Sequence, residues 1–309
     1  MRVSIHTGNH DNANGITDTV MFLKNAMQDC GHDACISHEI EPDRLNVVME
    51  HFVQERHIAP LIEARKRGTR FVLIATEPIR DGTFNGGVDA AHWHYGDTAY
   101  WKLRFDLFRI AARLADAVWV LAPSMVEGYT RALPNVPVHF LPHGHVQNFA
   151  TVTHRPPEQR DIDFYFSGSI TDYRKEILTE LARHHKVVGD DRASPEYLRL
   201  DHQSRAKVCL SLRLSAHNDI PSVSRMHFHL QNRNFMVHEA YPLPCPLDPF
   251  VLHVPRKDLV AFARQALQMA NRGEIAQQCH DRFAQALPMS RLLPPLLDAL
   301  TPVALRQAA

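Results

Sequence analysis

The sequence predicts an α/β protein built as two Rossmann-like domains that face each other across a cleft. Three observations lead there. Short apolar runs alternate with helical patterns along a chain of 309 residues, longer than a comfortable single domain. The alternation breaks once, at the polar, aperiodic stretch QNFATVTHRPPEQR (Gln147–Arg160), which contains Pro156-Pro157. It then resumes, and repeated strand–helix–strand order implies parallel sheets with helices on both faces.

Taken in order, Arg2–His6 (RVSIH) reads as a short buried strand and Thr7–Gly15 as a loop rich in Gly and Asn. Ile16–Cys30 has helical spacing at Ile16, Val20, Leu23 and Met27, and Gly31 ends it as a C′ residue. Strands are expected at Asp33–His38, Leu45–Met49, Phe71–Thr76, Ala117–Leu121 and Val136–Leu141, with helices at Ala59–Lys66, Thr98–Ala115 and Ser124–Ala132. After the break come strands at Asp161–Phe166, Lys186–Val188, Lys207–Leu212 and Asn234–His238. Helices at Tyr173–His184, Pro195–Arg205 and Ser222–Arg233 separate them, and Gln265–Leu300 is mostly helical. The expected organisation is an N-terminal domain over 1–147, a linker over 148–160, a C-terminal domain over 161–290 and a last helical segment over 291–309. Ligands of such proteins bind outside the carboxyl ends of the strands.

Composition narrows the function. Lys+Arg and Asp+Glu balance at 34 each, which argues against a nucleic-acid partner held by a globally basic face. Five cysteines without a CxxC pair fit free thiols in a reducing compartment. MRVSIHTGNHDNANG reads as neither a signal peptide nor a membrane segment, so the expected location is cytoplasmic. Histidine is abundant, with 21 copies and i, i+2 pairs at His92/His94, His143/His145 and His227/His229. None has a Cys or carboxylate at a familiar zinc spacing, so no metal site is expected.

Four stretches are candidates for chemistry. In DIDFYFSGSITDYRKEIL, a strand breaks at Ser167-Gly168-Ser169 before a helix. Gly168 permits close approach, the helix N-terminus favours an anion, and Arg174 and Lys175 follow one turn later. This is either a phosphate seat or a tight βα turn capped by Asp172. In SVSRMHFHLQNRNFMVHE, Arg225 near a helix start suits a diphosphate, and Glu239 at a strand's carboxyl end suits sugar or ribose hydroxyls; the alternative is a surface Arg–Glu pair. In HTGNHDNANG, His10 or Asp11 is a candidate general base, or the loop is merely surface. LPHGH ends the last strand of the first domain and turns His143 and Gly144 toward the cleft, or forms a plain junction turn. Trp101 is expected in the core, with Trp93 left open.

In this order the motifs resemble the GT-B glycosyltransferases, and among them the branch of spore-maturation-type glycosyltransferase-like proteins. The resembling stretches are NGITDTVMFLKNAMQDCGHDACI, ADAVWVLAPSMVEGY with VHFLPHGH, DIDFYFSGSITDYRKEILTEL, and RAKVCLSLRLSAHNDIPSVSRMHFHLQNRNFMVHE. They span most of Arg2–Asp258. The resemblance implies a hexosyltransferase-like enzyme that moves a sugar from a nucleotide-diphosphate donor, held by the second domain, to a hydroxyl acceptor on the first. It implies no cofactor and no metal, since helix dipoles and Arg/Lys neutralise the leaving diphosphate. Gly168 and Ser169 would line the phosphates, Arg225 would steady them, and Arg174 would add positive charge to the donor site. Asn232 and Glu239 would lie near the donor, and Gly15 would belong to the loop facing it across the cleft. Leu293–Leu305 would cross back onto the first domain. The acceptor would be a glycan, a lipid-linked or a protein hydroxyl, the lipid-linked case entailing peripheral membrane contact. One departure stands out: many members carry a carboxylate a few residues after the helix arginine, whereas Arg225 is followed by none before Glu239. A non-catalytic glycan- or partner-binding protein is therefore the alternative, and a histidine-based metal hydrolase the third.

Overall fold

The computed structural model describes residues 1–10, 13–87, 98–191 and 194–300. The first domain runs β1 (Arg2–His6), α1 (Thr17–Asp29), β2 (Asp33–Ser37), β3 (Leu45–Met49), α2 (Ala59–Lys66) and β4 (Arg70–Ala75). A small hairpin, β5 (Ile79–Arg80) and β6 (Thr83–Phe84), precedes α3 (Thr98–Leu114), β7 (Ala117–Val120), α4 (Val126–Ala132) and β8 (Val138–Phe140). The second domain runs β9 (Ile162–Ser167), α5 (Asp172–Ala182), β10 (Val187–Asp190), α6 (Glu196–Arg205), β11 (Ala206–Ser211), α7 (Val223–Gln231), β12 (Met236–Glu239) and β13 (Leu252–Val254). Helices α8 (Arg256–Gln268), α9 (Arg272–Ala286) and α10 (Met289–Asp298) complete the described chain.

Each domain is one parallel sheet, ordered β2-β1-β3-β4-β7-β8 in the first and β10-β9-β11-β12-β13 in the second. Burial on both faces explains why β3 (LNVVM) and β4 (RFVLIA) are nearly continuous apolar runs rather than alternating ones. The one polar residue of β3, Asn46, is fully buried. Its amide donates to the carbonyls of Glu41, Arg44 and Arg70 and accepts from Glu41 N, so no group is left unpaired. In both sheets the strand order reverses beside the first strand of the domain, β1 or β9. The chain leaving those two strands, at Thr7–His10 and Gly168–Thr171, therefore opens at topological switch points.

The chain's end returns to its beginning. Met289, Leu293, Leu296, Leu297 and Leu300 share one apolar core with Val20, Leu23 and Met27 of α1. The return is pinned by His145 N donating to Leu287 O at 2.7 Å and Met289 N donating to His145 O at 2.8 Å. The tail beyond residue 300 lies outside the described residues. Among the described residues, no helix is long and apolar enough to cross a membrane, and all five cysteines are free thiols. The hairpin β5–β6 and strand β13 were not expected from sequence; with two and three residues respectively, they are too short to show a period.

Candidate functional site

A cleft of about 940 Å³ lies between the sheets at the carboxyl ends of their strands. Three helix starts border it: Gly15, Ile16 and Thr19 at α1, Gly168 and Ser169 before α5, and Ser222–Arg225 at α7. The positive ends of three helix dipoles thus meet one space. The domains also touch across it. Thr19 Oγ1 and Ser224 Oγ are 2.8 Å apart, Arg199 pairs with Asp18 at 3.2 Å, and Arg80 pairs with Asp219 at 2.8 Å.

The second-domain wall is built around the Phe166 ring, over which two guanidinium groups lie at 5.0 Å (Arg174) and 5.2 Å (Arg225) from the ring centroid. Arg174 is buried and spends its donors on backbone carbonyls: Nε on Arg213, Nη1 on Ser169, Nη2 on Leu212. It therefore shapes the two cleft loops while adding charge beneath them. Arg225 donates from Nε to Ser167 O at 2.9 Å, and its Nη1, shielded from solvent, has no hydrogen-bond partner. Burial pulls both arginines below their usual range, Arg174 to about 9. Gly168 has φ +126°, and a Cβ there would stand 2.5 Å from Arg225 Nη2. Only glycine lets the guanidinium occupy that position.

The first-domain wall is built on Glu50, at the end of β3. Arg104 of α3 grips it with two bonds, Nε to Oε1 at 2.7 Å and Nη2 to Oε2 at 2.5 Å, and Thr76 Oγ1 adds a third at 2.9 Å. Glu77 lies 3.2 Å from the same guanidinium and accepts from Asn85 Nδ2 at 2.9 Å. Its backbone carbonyl takes the Tyr129 hydroxyl at 2.5 Å. His10 stacks on His51, centroids 4.8 Å apart, and burial lowers both imidazoles, His10 to about 3. Because Glu50 is wholly buried, losing its cation should be expensive. Arg104→Met is expected to destabilise the chain by about 3–5 kcal/mol, read as a lower urea midpoint, and adding Glu50→Gln should restore part of it.

No protein-family model matches the sequence, and no curated protein does. Solved structures do match. An α-glucosyltransferase in complex with UDP and a 13-mer DNA containing an HMU base superposes with a TM-score of 0.61 at 10% identity, covering 98% of this chain and 100% of that one. The chain has the GT-B fold. TarM superposes at 0.52 with 11% identity over 85% of this chain, which spans only 56% of TarM's length. A point mutant of S. aureus TarM in complex with Fondaparinux, α-GlcNAc-glycerol and UDP superposes at 0.50 with 10% identity. These neighbours are GT-B glycosyltransferases. One of them was solved with DNA, so the expectation of no nucleic-acid partner gains no support from the likeness.

Within this GT-B frame the sequence-derived candidates divide. His10, Gly15, Gly168, Ser169, Arg174 and Arg225 line the cleft. Asp11, and the pair His92/His94 with Trp93, lie outside the described residues. His10 is a poor general base, because its lowered pKa leaves it little affinity for a proton at neutral pH. Glu239 does not offer its carboxylate to a ligand. It is fully buried, taking the Tyr173 hydroxyl at 2.5 Å and Arg213 N at 2.9 Å, with Arg256 at 3.7 Å. Asn232 faces the linker and does not line the cleft: its Oδ1 accepts from Thr151 N at 2.8 Å and Val152 N at 2.9 Å. His143 and Gly144 lie in the domain junction. His143 is buried and stacks on Phe22 at 4.6 Å, and a Cβ on Gly144 would meet Leu287 O at 2.2 Å. The cap of α5 is Thr171 rather than Asp172.

Sequence reading missed Glu50, Thr76, Glu77 and Arg104. Glu50 carried one usable signal, a carboxylate directly after an unbroken apolar strand, where side chains face the cleft. Trp101 is in the core as expected and also borders the cleft. Among the described residues, no group of three or more His, Cys, Asp or Glu is placed to hold a metal ion.

Proposed function

We propose that the protein transfers a sugar from a nucleotide-diphosphate donor to a hydroxyl acceptor, with the diphosphate against the second domain. The observation that carries this reading is Arg225. It is a shielded guanidinium at a helix start, with one nitrogen unpartnered and no carboxylate in its hydrogen-bonding reach. Among the described residues lining the second-domain wall the only carboxylate is Asp219, which Arg80 engages. A wall with two arginines and two helix starts lacks an anion, and a diphosphate supplies one.

In the reaction the acceptor hydroxyl oxygen bonds to the anomeric carbon as the bond from that carbon to the diphosphate oxygen breaks, and the hydroxyl proton passes to the departing diphosphate or to solvent. The bonding electrons leave with the diphosphate, whose added charge meets Arg225, the charge of Arg174 and the α5 and α7 dipoles. On this reading these groups do the work of a metal. The neighbours solved with UDP support a nucleotide as the ligand, and the acceptor class stays open to glycan, lipid-linked, protein and nucleic-acid hydroxyls.

A binding-only reading has one observation in its favour. Neither α7 nor Glu239 offers a carboxylate for a ribose, since α7 carries none and Glu239 is spent internally. Thermal unfolding against UDP, GDP, dTDP and CMP, followed by turnover of the matching sugar conjugates, separates the two. A ligand at 100 times its Kd should add about 2.7 kcal/mol of stability. A shift with one nucleotide and release of that nucleotide from its sugar conjugate is the expected result. No shift with any of them in a folded sample overturns the donor site, and a shift without turnover leaves the binding-only reading.

A further inference from the structure

The two walls of the cleft carry opposite charge. On the second-domain wall Arg174 and Arg225 face no free carboxylate. Among the described residues of the first-domain wall three carboxylates, Glu50, Glu77 and Asp81, stand against one available guanidinium, Arg104, because Arg80 is engaged by Asp219. His10 and His51 do not redress the balance, since burial keeps both imidazoles neutral at ordinary pH.

Two of these carboxylates are open to a ligand. Glu77 has a side chain 25% exposed, with one bond from Asn85 to Oε2 and Arg104 at 3.2 Å from Oε1. Each carboxylate oxygen accepts two hydrogen bonds, so capacity remains on the cleft side. Asp81 is exposed at the tip of the β5–β6 hairpin, held there with φ 47°. A second, independent feature of the same wall also asks for a partner. His10 Nε2 is shielded from solvent and makes no hydrogen bond, so a ligand hydroxyl would complete it.

We propose that this wall is a subsite for a polyhydroxy acceptor that is uncharged or bears an ammonium group, and that it refuses phosphorylated and polyanionic acceptors. An ammonium or hydroxyl group donates to Glu77, whereas a phosphate would meet like charge in a partly desolvated space. The word acceptor rests on the glycosyl-transfer reading above; the discrimination by charge rests on the wall itself.

The test is titration calorimetry of the full chain, with and without UDP, against glucosamine, glucose and glucose 6-phosphate at neutral pH. Glucosamine is expected to bind roughly tenfold more tightly than glucose 6-phosphate, with glucose between them. Glu77→Gln keeps the shape of the buried network, and Asp81→Asn lies outside it. Each is expected to narrow the gap to about threefold or less. Glucose 6-phosphate binding as well as glucosamine, an undiminished gap in both variants, or no binding by any of the three sugars overturns the proposal. If UDP does not bind while the charge preference holds and shrinks in Glu77→Gln, the donor site fails and the subsite stands. If UDP binds and the preference is absent, the subsite fails and the donor site stands.

Discussion

Replacing Arg225 with methionine is expected to abolish the nucleotide-dependent rise in Tm and, in the same protein, to raise the Tm of the unliganded chain. Both effects come from one source. The guanidinium is held over Phe166 by one bond to Ser167 O, with Nη1 shielded and unpaired, so it is costly to keep folded without an anion. Methionine has similar bulk, keeps contact with the Phe166 ring and carries no charge. If transfer occurs, loss of a group that stabilises a leaving diphosphate should lower kcat/KM by roughly 10²–10³-fold. Arg174→Met should behave in the opposite way before any ligand is added. Its three donors satisfy the carbonyls of Arg213, Ser169 and Leu212, so removing them should lower the Tm of the free protein. Unliganded Arg225→Met less stable than the parent, or an intact nucleotide response, would sink this account of the wall.

The contrast between these arginines also marks what sequence can convey. Both follow a strand–loop–helix pattern that is visible in the chain, and Gly168 is visible as the break between β9 and α5. The division of labour is not, because it depends on which carbonyls Arg174 reaches 38 and 39 residues away. Long apolar strands such as β3 and β4 were legible because burial on both faces writes itself into composition. Glu50 and Arg104 were not: their pairing spans 54 residues and no local period encodes it. Glu239 and Asn232 were misplaced for the same reason. Each sits at the end of a recognisable element, yet its side chain is claimed by Tyr173 and Arg213 in one case and by the linker in the other. Nothing local in the histidine pairs told that His143 and His227 would meet at the joint between domains, their rings 5.8 Å apart.

Three buried histidines, His143 at that joint and His229 and His238 inside the second domain, should make stability strongly dependent on pH. Burial lowers His143 to about 4 and His229 and His238 to about 3, and all three side chains are buried. Each is neutral in the folded chain over a range where the unfolded chain, with an ordinary value of 6.5, binds a proton. Stability is therefore complete above that value and falls as pH drops toward 4, each histidine costing about 1.4 kcal/mol per pH unit once engaged. Three together give roughly 4 kcal/mol per pH unit, enough to unfold an ordinary domain before pH 4. The check is a series of urea unfolding curves from pH 7.5 to 4.5. His143→Phe keeps the ring stacked on Phe22 and cannot be protonated. It should remove one histidine's share of the slope, about 1.4 kcal/mol per pH unit, while leaving stability at pH 7.5 nearly unchanged. A parent whose stability is flat between pH 6.5 and 4.5 would show that these imidazoles are hydrated in solution, and would overturn this account of their burial.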